Sequence, residues 1–118
     1  MPSVLILGID PTAVPVPGMD GAALRAGLDR ELARFAEHGL DAAMTLVPLD
    51  ATTEGMLLAA LTGRAWDVVV IGGGIRKPEP LLTFFEEVVN LVRRHAPKAA
   101  IAFNSSGGDS VEAALRRL

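Results

Sequence analysis

The sequence predicts an α/β fold built on a four-stranded parallel sheet, and three observations carry that prediction. Val4 to Ile9 and Val68 to Ile71 are apolar runs without alternation, so the strands they form are buried on both faces. Segments with helical spacing of apolar residues separate these runs from two further strand candidates. No hairpin signal and no internal repeat occurs, so short connections and strict alternation mean parallel strands joined through helices.

The first strand, Val4 to Ile9, is interrupted only by Gly8 and ends at Asp10-Pro11. Residues 11–19 form a loop whose prolines, Pro11, Pro15 and Pro17, fix several φ angles and order it. Val14 and Val16 give that loop an apolar side. Asp20 caps the first helix, which runs to about His38 and closes at Gly39. Leu24, Leu28, Leu32 and Phe35 make its inner stripe, and Arg25, Arg30, Arg34 and Glu37 its wet face. Residues 41–48 form a weaker second strand. Asp50, Thr52 or Thr53 caps a helix over 53–63, with Met56, Leu57, Ala60 and Leu61 facing inward.

The third strand, 68–71, runs into Gly72-Gly73-Gly74, which frees the backbone to turn sharply or to approach another group closely. Pro78 or Pro80 opens the third helix, which reaches His95 before Pro97. Ala99 to Phe103 is the fourth strand and 104–108 its exit loop. Asp109 caps the last helix, with Glu112 completing a capping box. The resulting βαβαβαβα pattern implies strand order 2-1-3-4, a flavodoxin-like or Rossmann-like three-layer sandwich one strand short of five. The fourth strand is then a bare edge.

One domain spans 1–118. Half of its residues are hydrophobic and 21% are charged, a rich apolar supply for so short a chain. Leu81, Leu82, Phe84, Phe85, Val88, Val89, Leu91 and Val92 surround more than half of the helix over 80–95, where a surface helix needs only a stripe. That predicts a homodimer or larger assembly through helix 80–95; cover within one subunit is the alternative. No cysteine is present, which excludes disulfides and thiol chemistry. The N-terminus shows no basic leader, and no run approaches the ~20 apolar residues of a membrane span. The expectation is a soluble cytoplasmic protein without a membrane partner. A net charge of −3 with dispersed cations gives no footprint for nucleic acid.

In open α/β sheets ligands bind beyond the carboxyl ends of the strands, where strand order reverses. Here that point lies between the loops 10–18 and 72–77, with 104–108 as the adjacent wall. The candidates there are Asp10 and Asn104 for catalysis, and Thr12, Gly72, Gly73, Gly74, Arg76, Ser105 and Ser106 for binding. Asp10 reads two ways: a carboxyl with a pKa raised by desolvation, or a solvated cap of its own turn. Arg76 also reads two ways: a bidentate clamp on a carboxylate or phosphate, or a partner for an acid such as Asp10. Ser105 and Ser106 read first as turn formers.

Familiar chemistries are absent. No Gly-rich fingerprint follows the first strand and no P-loop sequence occurs. A receiver domain's acidic pair and fifth-strand lysine are missing, as is the histidine of cobalamin-binding domains. His38 and His95 end helices at the opposite edge of the sheet from Ser105, roughly 20 Å away along a six-residue strand. Two histidines so far apart also leave no metal set, and no cofactor is expected.

The runs Val69 to Arg76, Val89 to Pro97 and Ala100 to Ser106, with Gly8-Ile-Asp-Pro11, resemble a group of small, uncharacterised single-domain bacterial and fungal proteins. The resemblance covers most of the chain. It implies the flavodoxin-like fold and the domain boundaries, and it carries no activity. Two functions therefore stand as expectations. One is a protein binding a small carboxylate- or phosphate-bearing metabolite, in enzymatic form a cofactor-free lyase, isomerase or hydrolase. The other is a non-catalytic oligomeric or partner-binding module using helix 80–95.

Overall fold

The computed structural model describes residues 1–118. The elements in chain order are β1 (Ser3–Ile9), α1 (Gly21–Glu37), β2 (Asp41–Val47), α2 (Thr53–Thr62), β3 (Val68–Ile71), α3 (Gly73–Arg76), α4 (Leu82–His95), β4 (Ala100–Phe103) and α5 (Ser110–Leu115). The four strands pair in parallel in the order β2-β1-β3-β4, with Val4 opposite both Ala42 and Val68, and Val68 opposite Ala100.

Burial on both faces explains the unbroken apolar runs. Leu5, Leu7, Val69 and Ile71 join Leu57, Leu61, Val88 and Val92 in the core beneath α2 and α4. Val4, Ile6, Val68 and Val70 join Phe35, Val111 and Ala114 beneath α1 and α5. Every residue of β3 is fully buried, each Val or Ile there contributing about 1.5–3 kcal/mol. The sheet with helices on both faces is the expected three-layer sandwich.

The glycine run departs from the expected loop. Residues 73–76 form a single helical turn, and none of Gly72, Gly73 and Gly74 has positive φ. Close approach is the reason for glycine at 72. Its N–H donates to the Leu7 carbonyl at 2.8 Å, and a Cβ there would lie only 3.0 Å from that oxygen. A 3₁₀ turn over 79–81, with Pro80 as its second residue, then leads into α4. Gly39, by contrast, does close α1 with φ of +70°.

Other local expectations shift because packing chooses the faces. Met56 is exposed rather than in the core. Along α4, Val88 and Val92 are buried while Phe84, Phe85, Val89 and Leu91 pack partly against the same core. Cover within one subunit therefore accounts for most of that helix's apolar surface. Leu82 stands out at 64% exposed.

The largest revision concerns α1 and α5. Asp20 caps α1 by accepting from the Ala22 N–H, as expected, but the Asp109 side chain makes no cap bond to α5. Glu31, buried in the middle of α1, takes that role by accepting the Val111 N–H at 3.0 Å. Arg34, expected on the wet face, is half-buried and bridges Glu31 at 2.8 Å and Glu112 at 2.8 Å. Its guanidinium pKa is raised, chiefly by the Glu112 carboxylate and then by Glu31. Replacing Glu31 with Ala strands a buried N–H and should cost about 1–3 kcal/mol in urea unfolding. Glu31→Gln keeps an acceptor and should lose clearly less; equal losses would remove the cap from the account.

Candidate functional site

The carboxyl ends of β1, β3 and β4 hold all the residues expected there, and the structure shows what each one touches. Asp10 follows β1. Its carboxylate accepts the Thr12 N–H at 2.9 Å and the Thr12 hydroxyl at 2.7 Å, and its carbonyl accepts the Val14 N–H. Those Thr12 hydrogen bonds hold the carboxyl below the usual carboxylate range, because they favour its charged form. Asp10 thus caps its own turn; the raised pKa expected from desolvation does not occur. Thr12 is exposed and bound to Asp10 alone.

Arg76 closes the turn after β3 and pairs with no acid. Its Nε donates to the Ile71 carbonyl at 2.9 Å, while Nη2 reaches the Asn104 carbonyl and the Asn104 Oδ1. The guanidinium also lies 5.1 Å from the Phe103 ring centroid. Arg76 therefore braces the ends of β3 and β4 through Nε and Nη2 and is not paired with Asp10.

Asn104 is buried, at 6% exposure, and completes the brace by donating from Nδ2 to the Ser110 hydroxyl at 3.0 Å. Its amide is therefore engaged on both sides. Ser105 and Ser106 give their N–H groups to the Asp109 carboxylate, and the Ser105 hydroxyl joins them. Burial raises the Asp109 pKa, but the hydrogen bonds from Ser105 and Ser106 prevail and the net direction is down. This explains why Asp109 does not cap α5: its oxygens face the preceding loop. Lys77 lies over Gly73 and donates to the Ser105 carbonyl.

Residues far apart in sequence but adjacent in space could not be found from local patterns. Glu31 and Arg34 belong to that class, as does the Arg76–Asn104–Ser110 chain. The signal available in the sequence was only indirect: a cation two residues after a Gly run, and an Asn directly after a strand. No three His, Cys, Asp or Glu side chains converge to hold a metal ion, and no helix is long and apolar enough to cross a membrane. Two concavities lie away from these loops. One of about 180 Å³ sits between α2 and α4, and one of about 240 Å³ lies at the amino ends of β3 and β4.

Fold and loops together define a parallel-sheet α/β protein of flavodoxin-like strand order, whose switch-point loops are tied down by their own side chains. No family model matches the sequence, and no curated protein matches it. Among solved structures, the chain is similar to a fragment from Peptoclostridium difficile 630 provisionally described as a lipoprotein. The TM-score is 0.51 at 14% identity, over 87% of this chain and 72% of that one. At that identity the likeness is one of fold.

The brace makes a measurable demand. Arg76→Lys keeps the charge but cannot supply a planar donor fork to both strand ends. It should therefore lose nearly as much stability as Arg76→Ala, about 1.5–3 kcal/mol for hydrogen bonds from a charged group. Urea unfolding of the two variants decides; full rescue by lysine would show that charge alone matters.

Proposed function

We propose that this protein is a non-catalytic association module, and that its first partner is a second copy of itself. The observation that carries this reading is an apolar surface patch beside an open sheet edge. Leu82 is 64% and Phe103 44% exposed, and Phe85, one turn after Leu82, packs edge-on to the Phe103 ring at 5.9 Å. β4 pairs only with β3. Its sequence, Ala-Ile-Ala-Phe, carries no charge of its own; at its last residue the Arg116 guanidinium donates to the Phe103 carbonyl at 2.8 Å, and the rest of the edge is uncovered. A two-fold axis beside β4 would set this patch on its own copy, the commonest closed arrangement of identical chains. The switch-point side chains support the same view, since those able to do acid–base work are engaged as turn caps and braces.

A small-molecule reading stays open in a narrower form, and Lys77 favours it. Its ammonium gives one hydrogen to the Ser105 carbonyl, which leaves two for an anion reaching the loops from solvent. Arg76 then positions the loop instead of anchoring the ligand.

Sedimentation equilibrium tests the main reading. The wild type should run at about twice the 12.4 kDa chain mass, and Phe103→Asp should run as a folded monomer. A wild type that stays monomeric at high concentration would overturn it. For the second reading, inorganic phosphate at 100 times its dissociation constant should add about 2.7 kcal/mol of stability, raising the melting temperature by several degrees. Lys77→Ala should abolish that shift; an unchanged shift in the variant would discard the site.

A further inference from the structure

The backbone of β4 carries its own instructions for a second copy. In a strand, successive residues turn their N–H and C=O groups to alternate sides. The Ala100 N–H donates to the Asp67 carbonyl at 3.0 Å, so Ala100 and Ala102 bond toward β3. A trans peptide sets each carbonyl opposite the next N–H. The Ala99 carbonyl and the backbone groups of Ile101 and Phe103 therefore face the open flank. Arg116 agrees, since its Nη2 reaches the Phe103 carbonyl at 2.8 Å from outside the sheet.

The two ends of this edge are already closed. Arg116 occupies the Phe103 carbonyl, and the Ala99 N–H donates to the Ala96 carbonyl at 3.0 Å. Left without a partner are the Ala99 carbonyl, the N–H and C=O of Ile101, and the Phe103 N–H. An extended segment of another protein offers an N–H and a C=O at every second residue, and would set one of each against a group already taken. The same edge turned about a two-fold axis does not. With Ile101 opposite its own copy, the two isoleucines exchange both bonds. Each Phe103 N–H then meets the second copy's Ala99 carbonyl, and no internal bond is given up.

Neighbouring registers fail this condition. Centring on Ala102 makes Ile101 compete with Arg116 for the Phe103 carbonyl. Centring on Ala100 leaves the Ile101 carbonyl dependent on the Ala99 N–H, which Ala96 already holds. Side chains suit the Ile101 register as well. Ala99 and Ile101 lie on the α2–α4 side of the sheet, where Phe103 packs against Phe85, so large Phe103 falls opposite small Ala99. On the other side Ala100 falls opposite Ala102, where bulk would hinder close approach.

We infer that β4 pairs antiparallel with β4 of a second copy, centred on Ile101, joining two four-stranded sheets into one continuous sheet; this rests on the self-association proposed above and specifies its bonds.

The chain has no cysteine, so a single introduced thiol reports one contact. Ile101→Cys sets two Cα atoms about 5.5 Å apart across the axis, within disulfide range, and mild oxidation should link it into a dimer. Ala99→Cys, at an equally half-buried position, should stay unlinked, because its Cα atoms stand about 14 Å apart along the seam. Amide exchange followed by NMR gives an independent reading. The Ile101 N–H should exchange at least about tenfold more slowly in the wild type than in Phe103→Asp, while the Ala100 N–H, bonded within the subunit, differs little. Sedimentation of the same samples separates the two ways of failing. A dimer whose Ile101→Cys variant stays unlinked and whose Ile101 amide exchanges freely discards edge pairing and keeps association. A monomeric wild type discards both. Linkage of Ala99→Cys in place of Ile101→Cys would overturn the register.

Discussion

The structure depends on the contact between β1 and β3, two strands with apolar side chains on both faces. Neither strand can accommodate a polar group within its length, so polar chemistry is pushed to its ends. Gly72 shows how tight this is. Its amide reaches the Leu7 carbonyl at 2.8 Å, continuing the ladder one residue past the last β3 pair. A larger residue there would force the pair apart. At the opposite end, Ser3 accomplishes the same closure by donating its N–H to the Asp67 carboxylate at 2.8 Å and its hydroxyl to the Ala65 carbonyl. The central strands are fastened at both ends, and the outer elements are arranged around them.

Much of this was legible in the sequence, for identifiable reasons. Unalternating runs at 4–9 and 68–71 fixed parallel strands, and Asp20, Gly39 and Pro97 marked helix ends whose chemistry is local. The strand order followed from topology. The site was legible only as a list of loop residues. Asp10, Arg76, Asn104 and Ser105 were correctly gathered at one edge, but their partners decide their roles. Those partners, such as Asn104 for Arg76, lie 28 positions away in sequence. Glu31 was read past altogether, because a carboxylate in mid-helix gives no sign that it will cap another helix 80 residues later.

Both ends of the sheet use charge to fasten backbone and loops. At the carboxyl ends, Arg76 binds the Ile71 carbonyl and Asn104, and Asp109 binds Ser105 and Ser106, so charge there stiffens loops. At the amino ends, Asp67 receives the Ser3 N–H and Arg64 pairs with Asp41 at 2.9 Å. A rule that looks for ligands at strand carboxyl ends holds where backbone groups and side chains there remain free. Here the bracing engages Asp10, Asn104 and Asp109, and leaves Lys77 on those loops and the flank of β4 as the places still free to meet a partner.

The arrangement of Glu31 has a consequence for synthesis. α5 has six residues, too few to hold a helix alone in water. It exists because Val111, Ala113 and Ala114 seat on the sheet and Glu31 receives the Val111 N–H in its first turn. While the chain is being made, α1 emerges before α5, so the apolar side chains that α5 covers and the Glu31 carboxylate lack their partners. That layer cannot become native until residues 110–115 have emerged. A nascent chain stalled before that point exposes apolar surface on this side of the sheet, the kind that chaperones recognise.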